Sequence, residues 1–173
     1  MKRTKILTKK QNLRGAIAPL FIGQVNFRKP TEIEFSSIVS FIIAYELDNR
    51  GLKKEQFLIA VYENILVGFA RLREHSDCIE LCSIGVVSPY RRKGIGKALV
   101  AELIKNVSKN IFLVCIIPDF FIPFGFKIIN KFPVSIQEKI NYCEQELVVA
   151  ETYVAMAIER GGVNPSLYDR YCM

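Results

Sequence analysis

Tryptophan is absent from the 173 residues, and histidine occurs once, at position 75. A single histidine builds no histidine-rich metal centre, and His75 sits in the polar stretch Glu74-His75-Ser76-Asp77, where it is not expected to complete a Ser-His-Asp triad. The five cysteines are odd in number and irregularly placed, so they form no disulfide framework. Cys78 and Cys82 are four apart, but no second Cys/His pair has zinc-site spacing, and no metal is expected. A reduced, cytoplasmic compartment follows from that usage. Apolar runs such as Ile111–Ile117 fall far short of the ~18 residues a membrane span needs. No apolar segment follows the first charges, so a secretory leader is not expected.

Acidic residues are missing from positions 1–14, which hold Lys2, Arg3, Lys5, Lys9, Lys10 and Arg14, six of the seven net positive charges. The rest of the chain is nearly neutral, so nucleic acid is not expected as a partner. Residues 1–20 read as a basic, mobile, solvated arm, 21–160 as one folded domain, and 161–173 as a tail. Hydrophobic residues make up 50% and charged residues 24%, which excludes a disordered chain.

The patterning predicts the order β, α, a three-strand meander, α, β, α, β and a closing β. Gln24–Lys29 reads as a short strand. Pro30-Thr31-Glu32 opens a helix that Asn49–Gly51 should stop. Phe57–Tyr62 and Ile65–Arg73 form a hairpin about Glu63-Asn64, and Cys78–Val87 is the third strand. A helix follows Arg91–Gly96, and Ile111–Ile116 is a buried strand. It should run parallel to Cys78–Val87, because a helix separates the two. Pro118–Phe124 is a short helix or turn, Gly125–Ile129 a strand, 133–146 a helix and 148–159 the last strand. The fold class is α/β (α+β), with a sheet of mixed direction rather than a doubly wound parallel one.

The informative stretch runs from Glu80 to Val100. It is a strand, a glycine-bearing turn and a helix N-terminus, where backbone N–H groups and the helix dipole favour an anion. Arg91, Arg92, Lys93 and Lys97 add positive charge. A P-loop is excluded, because Gly96-Lys97-Ala98 lacks both the spacing and the hydroxyl. A dinucleotide fingerprint is excluded by the missing third glycine.

Arg91-Arg92-Lys93-Gly94-Ile95-Gly96 fits [Gln/Arg]-x-x-Gly-x-[Gly/Ala], and Phe120-Phe121 through Gly125-Phe126 looks like a later Phe-Tyr-x-x-x-Gly-Phe element. On these residues the chain resembles the GCN5-related N-acetyltransferases over residues 24–159. Ile111–Cys115, Phe132-Pro133, Cys143 and Tyr153–Met156 look like the N-acetylglutamate synthase branch of amino-acid N-acetyltransferases, although that branch usually has Thr where Cys115 stands. The resemblance implies a mostly antiparallel sheet whose parallel central pair splays to hold acetyl-CoA, with helices flanking it. It implies acetyl-CoA as cosubstrate, held by Ile84, Gly85, Val86, Arg91, Arg92, Lys93, Gly94, Ile95, Gly96 and Lys97. The acceptor would be a primary amine of a small molecule, with amino acids among the candidates. A homodimer is left open.

The resemblance implies Glu80 as general base, since it lies six residues before Val86, the spacing of that glutamate in the histone acetyltransferases of the superfamily. Flanked by Ile79 and Leu81 near an apolar cleft, it should have a raised pKa. Ideal alternation puts Glu80, Cys82, Ile84 and Val86 on one face, unless a bulge shifts the parity. Phe121 stands where the family's acid tyrosine usually is and cannot donate. Cys115, Tyr90 and Tyr142 are the substitutes considered. Arg71 and Arg73 are candidates for a fork around a substrate carboxylate. The reading from another class is a non-catalytic module that binds CoA or nucleic acid and relies on the basic arm.

Overall fold

The computed structural model describes residues 22–147 and 149–160. The basic arm and the C-terminal tail lie outside them. The strands are β1 (Asn26–Arg28), β2 (Phe57–Tyr62), β3 (Ile65–Glu74), β4 (Ile79–Val86), β5 (Ile111–Cys115), β6 (Lys127–Ile128) and β7 (Val154–Ile158). The helices are α1 (Glu32–Ala44), α2 (Ile95–Ile104), the single-turn α3 (Pro118–Phe121) and α4 (Val134–Glu146). The strands form one sheet in the order β1-β2-β3-β4-β5-β7-β6. Every neighbouring pair is antiparallel except β4 and β5, which run parallel as the intervening helix requires.

Helix α1 starts where its cap dictates. Thr31 Oγ1 accepts from Glu34 N, and Glu34 Oε2 accepts from Thr31 N at 2.8 Å, a reciprocal capping box. Arg28 pairs with the same carboxylate at 2.7 Å and holds its pKa down to about 2. The helix ends at Ala44, well before Gly51. Glu46 takes the left-handed conformation at φ 53, its N–H reaches Ile43 O, and Leu47 N reaches Ile42 O at 2.9 Å. That is a Schellman ending with glutamate where glycine is usual. The missing glycine hid it from the sequence, and it places residues 45–48 beside β4.

The hairpin between β2 and β3 turns on Glu63 and Asn64, both at positive φ, as a two-residue turn needs. Helix α2 covers one face of the sheet. Ile95 and Leu99 meet Ala60, Val67 and Ala70, and Val100 and Ile104 meet Leu81, Leu113 and Met156. On the other face Ile38 and Ile42 of α1 pack on Phe57, Ile59 and Phe69, and Ile136 of α4 packs on Phe112 and Ala155.

Strand β4 carries a bulge. Phe69 faces Gly85 and Arg71 faces Cys82, so three β4 steps oppose two on β3, and Ser83 sits at φ 48. The extra residue breaks the alternation. Glu80 meets His75 and α4, whereas Ile84 and Val86 pack toward α2 with Leu81. The four residues expected to share a face are therefore divided between the two faces.

Gly85 illustrates what the bulge costs in space. A Cβ there would stand 2.3 Å from Phe69 Cζ, and that ring is fully buried. Gly85→Ala should lose about 1–3 kcal/mol or more through overpacking, lowering the thermal midpoint by roughly 2–4 °C per kcal/mol. A melting curve matching wild type would show that the Phe69 ring can yield.

Candidate active site

The parallel pairing of β4 and β5 lasts two residues, Ile79 with Ile111 and Glu80 with Phe112. Beyond Glu80 the strands separate, since β5 stays bound to β7 through Cys115. The separation is a wedge with Glu80 at its apex. A cleft of about 250 Å³ occupies it, lined by Leu81–Ile84 of β4, Leu113–Ile117, Phe121, the 45–48 loop, Lys139 and Cys143 of α4, and Tyr153.

A second hollow, about 340 Å³, lies at the far end of β4. Val86, Tyr90, Arg91, Arg92, Gly94, Ile95, Gly96, Lys97 and Phe120 line it. Gly94 caps α2 at φ 87, a conformation that favours glycine. Among the described residues no side chain caps this helix, so its first N–H groups are left facing the hollow. Lys97 and Arg92 stand beside them, which makes the hollow suited to a phosphate anion. Arg91 donates to Val86 O at 2.9 Å and lies over the Tyr45 ring.

The predicted cofactor residues thus divide. Val86, Arg91, Arg92, Gly94, Ile95, Gly96 and Lys97 gather at the hollow, and Ile84 lines the adjoining cleft. Gly85 and Lys93 line neither. Gly85 packs against Phe69, and the Lys93 ammonium lies over the Tyr90 ring.

Beneath the cleft is a buried charge cluster. Asp48 is 3% exposed and accepts from Arg50 N, Nε and Nη2 and from Lys139 Nζ, the last at 2.6 Å. Lys139 Nζ also stands 3.5 Å from Glu80 Oε1, and Glu80 Oε2 meets His75 Nε2 at 2.8 Å. Glu80 is fully buried and absent from the cleft lining, with Lys139 between it and the opening.

The expected raised pKa of Glu80 is therefore reversed. Burial alone would push it up, but the His75 hydrogen bond and the Lys139 charge win and hold it below the usual carboxylate range. Burial works against the Asp48 carboxylate too, but the Arg50 hydrogen bonds and the Lys139 charge hold its pKa well down, and against its own burial Lys139 is held up by the carboxylates of Glu80 and Asp48.

Arg71 and Arg73 do not form an open fork. Arg71 is fully buried, and its guanidinium donates to Gln56 Oε1 and to the carbonyls of Arg50 and Gly51. Arg73 Nη1 stands 3.9 Å from Asp48. Both buttress the 48–51 loop. Phe121 packs edge-on against Phe120 and Phe126 while lining the cleft. Cys115 donates to Met156 Sδ, and burial keeps its thiol protonated. The phenols on the cleft wall are Tyr45 and Tyr153, rather than Tyr90 or Tyr142.

Sequence reasoning did not single out Asp48 or Lys139 and set His75 aside. No local motif marks them, because loop, helix and strand bring them together over separations up to 91 residues.

A family model for the acetyltransferase (GNAT) family matches residues 25–119, more than half of the chain. The protein belongs to that family.

Its fold is shared with solved structures. N-acetylglutamate synthase from Neisseria gonorrhoeae, complexed with coenzyme A and N-acetyl-glutamate, superposes with a TM-score of 0.61 at 15% identity over 80% of this chain. This chain spans only 35% of that enzyme's length. Rv2747 from Mycobacterium tuberculosis, in complex with CoA and NLQ, gives 0.64 at 17% identity over 78% of this chain and 98% of its own. Arabidopsis thaliana Naa50, in complex with a CoA–peptide bisubstrate analogue, gives 0.55 at 19% identity over 79% and 99%. No curated protein matches the sequence. Among the described residues no helix is long and apolar enough to cross a membrane.

Proposed function

We propose that the protein transfers an acetyl group from acetyl-CoA to the primary amine of a small molecule by direct attack in a ternary complex. The observation carrying this reading is the joining of two hollows along one strand: Val86 borders the anion-suited cradle and Ile84 the wedge-shaped cleft. The open N–H groups at the start of α2, with Arg92 and Lys97, would hold the pyrophosphate. The thioester supplies the electrophile. On β4 the chain beyond Glu80 lacks a β5 partner, which leaves backbone groups free to orient the pantetheine arm.

A carboxylate with a depressed pKa is a weak proton acceptor, and Glu80 does not reach the cleft. We therefore assign Glu80 as a positioning residue: it fixes the Lys139 ammonium at the cleft floor. The neutral form of the amine attacks the thioester carbonyl. As the new C–N bond forms, the C–S bond breaks; the amine nitrogen gives up a proton to water, and the departing CoA thiolate takes one from water.

Thiol release from acetyl-CoA with a panel of amines tests the reading. Amine-dependent release is the expected result. CoA binding without turnover on any amine would instead favour a non-catalytic CoA-binding module.

A further inference from the structure

Several cations meet beneath the cleft, where few carboxylates balance them. Arg50, Arg71, Arg73 and Lys139 gather around Asp48 and Glu80, so the cluster is net positive when His75 is counted as neutral. Among the described residues Arg71 has no carboxylate within ion-pair distance, and it is held by backbone carbonyls and Gln56. An uncompensated positive charge away from water favours an anion nearby.

Only one of these cations lines the cleft. Arg50 is chelated by Asp48 and lies over the Tyr142 ring at 3.7 Å, and Arg71 and Arg73 lie under the 48–51 loop. Lys139, itself 6% exposed, is on the cleft wall. Of its three N–H groups one is taken by Asp48, and Glu80 Oε1, 3.5 Å away, has no hydrogen-bond partner among the described residues. The ammonium therefore has donors to spare for a ligand. Around it the walls are largely apolar, with Leu47, Leu81, Leu113, Leu147 and Val149, and Glu46 stands at the exposed rim.

We propose that Lys139 anchors a carboxylate of the acceptor, so that the enzyme acetylates a free amino acid rather than an uncharged amine or a peptide N-terminus. The proposal rests on the acetyltransferase reading above and narrows it. A carboxylate completes the hydrogen bonding of Lys139 and offsets the excess charge of the cluster. A peptide's first residue, whose carboxyl is an amide, can do neither.

The test compares L-leucine, L-methionine and L-phenylalanine with their α-amides and with a pentapeptide, using wild-type enzyme and Lys139→Met. With wild type, at least one free acid should exceed its amide in kcat/KM by tenfold or more. Lys139→Met should erase that preference and leave acetyl-CoA affinity unchanged. Amides or peptide acetylated as well as the acids by the wild type would overturn the carboxylate subsite while sparing the acetyltransferase reading. Turnover on none of these amines, with acetyl-CoA bound, would overturn the subsite, and a wider panel without any turnover would remove the reading beneath it. The acid–amide comparison needs no variant, so it decides the question even if Lys139→Met does not fold.

Discussion

Asp48→Ala should destabilise the protein by about 3–5 kcal/mol, the usual consequence of removing one partner from a buried ion pair. The side chain is almost fully buried and accepts from both Arg50 and Lys139. Its loss leaves the buried Lys139 ammonium with Glu80 as its nearest counter-charge, at 3.5 Å and without a hydrogen bond. A loss of that size is a large part of the 5–15 kcal/mol typical of a folded domain. Urea unfolding reads it directly as a fall in midpoint at unchanged m-value. A change below about 1 kcal/mol would mean that the cluster is as well solvated as a surface pair.

The same carboxylates give the pH dependence its direction. Asp48, Glu80 and Glu34 all have folded pKa values below their ordinary ones. Their contribution is complete above the unfolded-state values near ~4 and is lost as pH falls through the folded values. Wild-type stability should therefore decline from about pH 5 downward. Asp48→Ala has one such group fewer and should decline less steeply over that range.

Gly96→Val should nearly abolish coenzyme A binding, by ~100-fold or more, equivalent to about 2.7 kcal/mol, while leaving the fold close to wild type. A Cβ at this position meets Phe120 at 3.5 Å and Val86 at 3.6 Å, ordinary contacts that need no rearrangement. Valine is also a better helix former than the glycine it replaces, by roughly 0.3 kcal/mol. Its methyl groups, however, would project from the first turn of α2 into the cradle that Gly96 lines. Gly94→Val is a less informative variant, because its φ of 87 makes any side chain strained whether or not ligand binds. Calorimetric titration of the Gly96 variant with CoA is decisive. Affinity within threefold of wild type would place the pyrophosphate elsewhere.

The regular elements could be read along the chain because each has a local cause. Thr31 and Glu34 start α1, Glu63 and Asn64 turn the first hairpin, and Ile111–Cys115 is apolar on both faces because the strand is buried between layers. The cradle was legible for the same reason: strand, glycine turn and helix N-terminus are consecutive, so Arg91–Lys97 carry the geometry themselves. Errors arose where the outcome depended on a partner. The end of α1 used a left-handed Glu46 in place of the expected glycine. The last strand begins at Val154 rather than near 148, because β7 is defined by its pairing with β5 and β6.

Glu80 shows the division most clearly. Its place on the strand, six residues before Val86, was fixed by the order of residues. Its chemistry was not. A bulge at Ser83 divided the face it was expected to share, and α4 delivered Lys139 beside it from 59 positions away. A pKa is set by the charges and hydrogen bonds within a few ångströms, and those come from His75, Lys139 and Asp48 on three different elements. The sequence by itself determined the element order, the parallel pair and the anion-suited turn, since backbone preference and hydrophobic period act over neighbouring residues. Only the tertiary structure decided which charges face the cleft, because electrostatic fields act through space and take no account of separation along the chain.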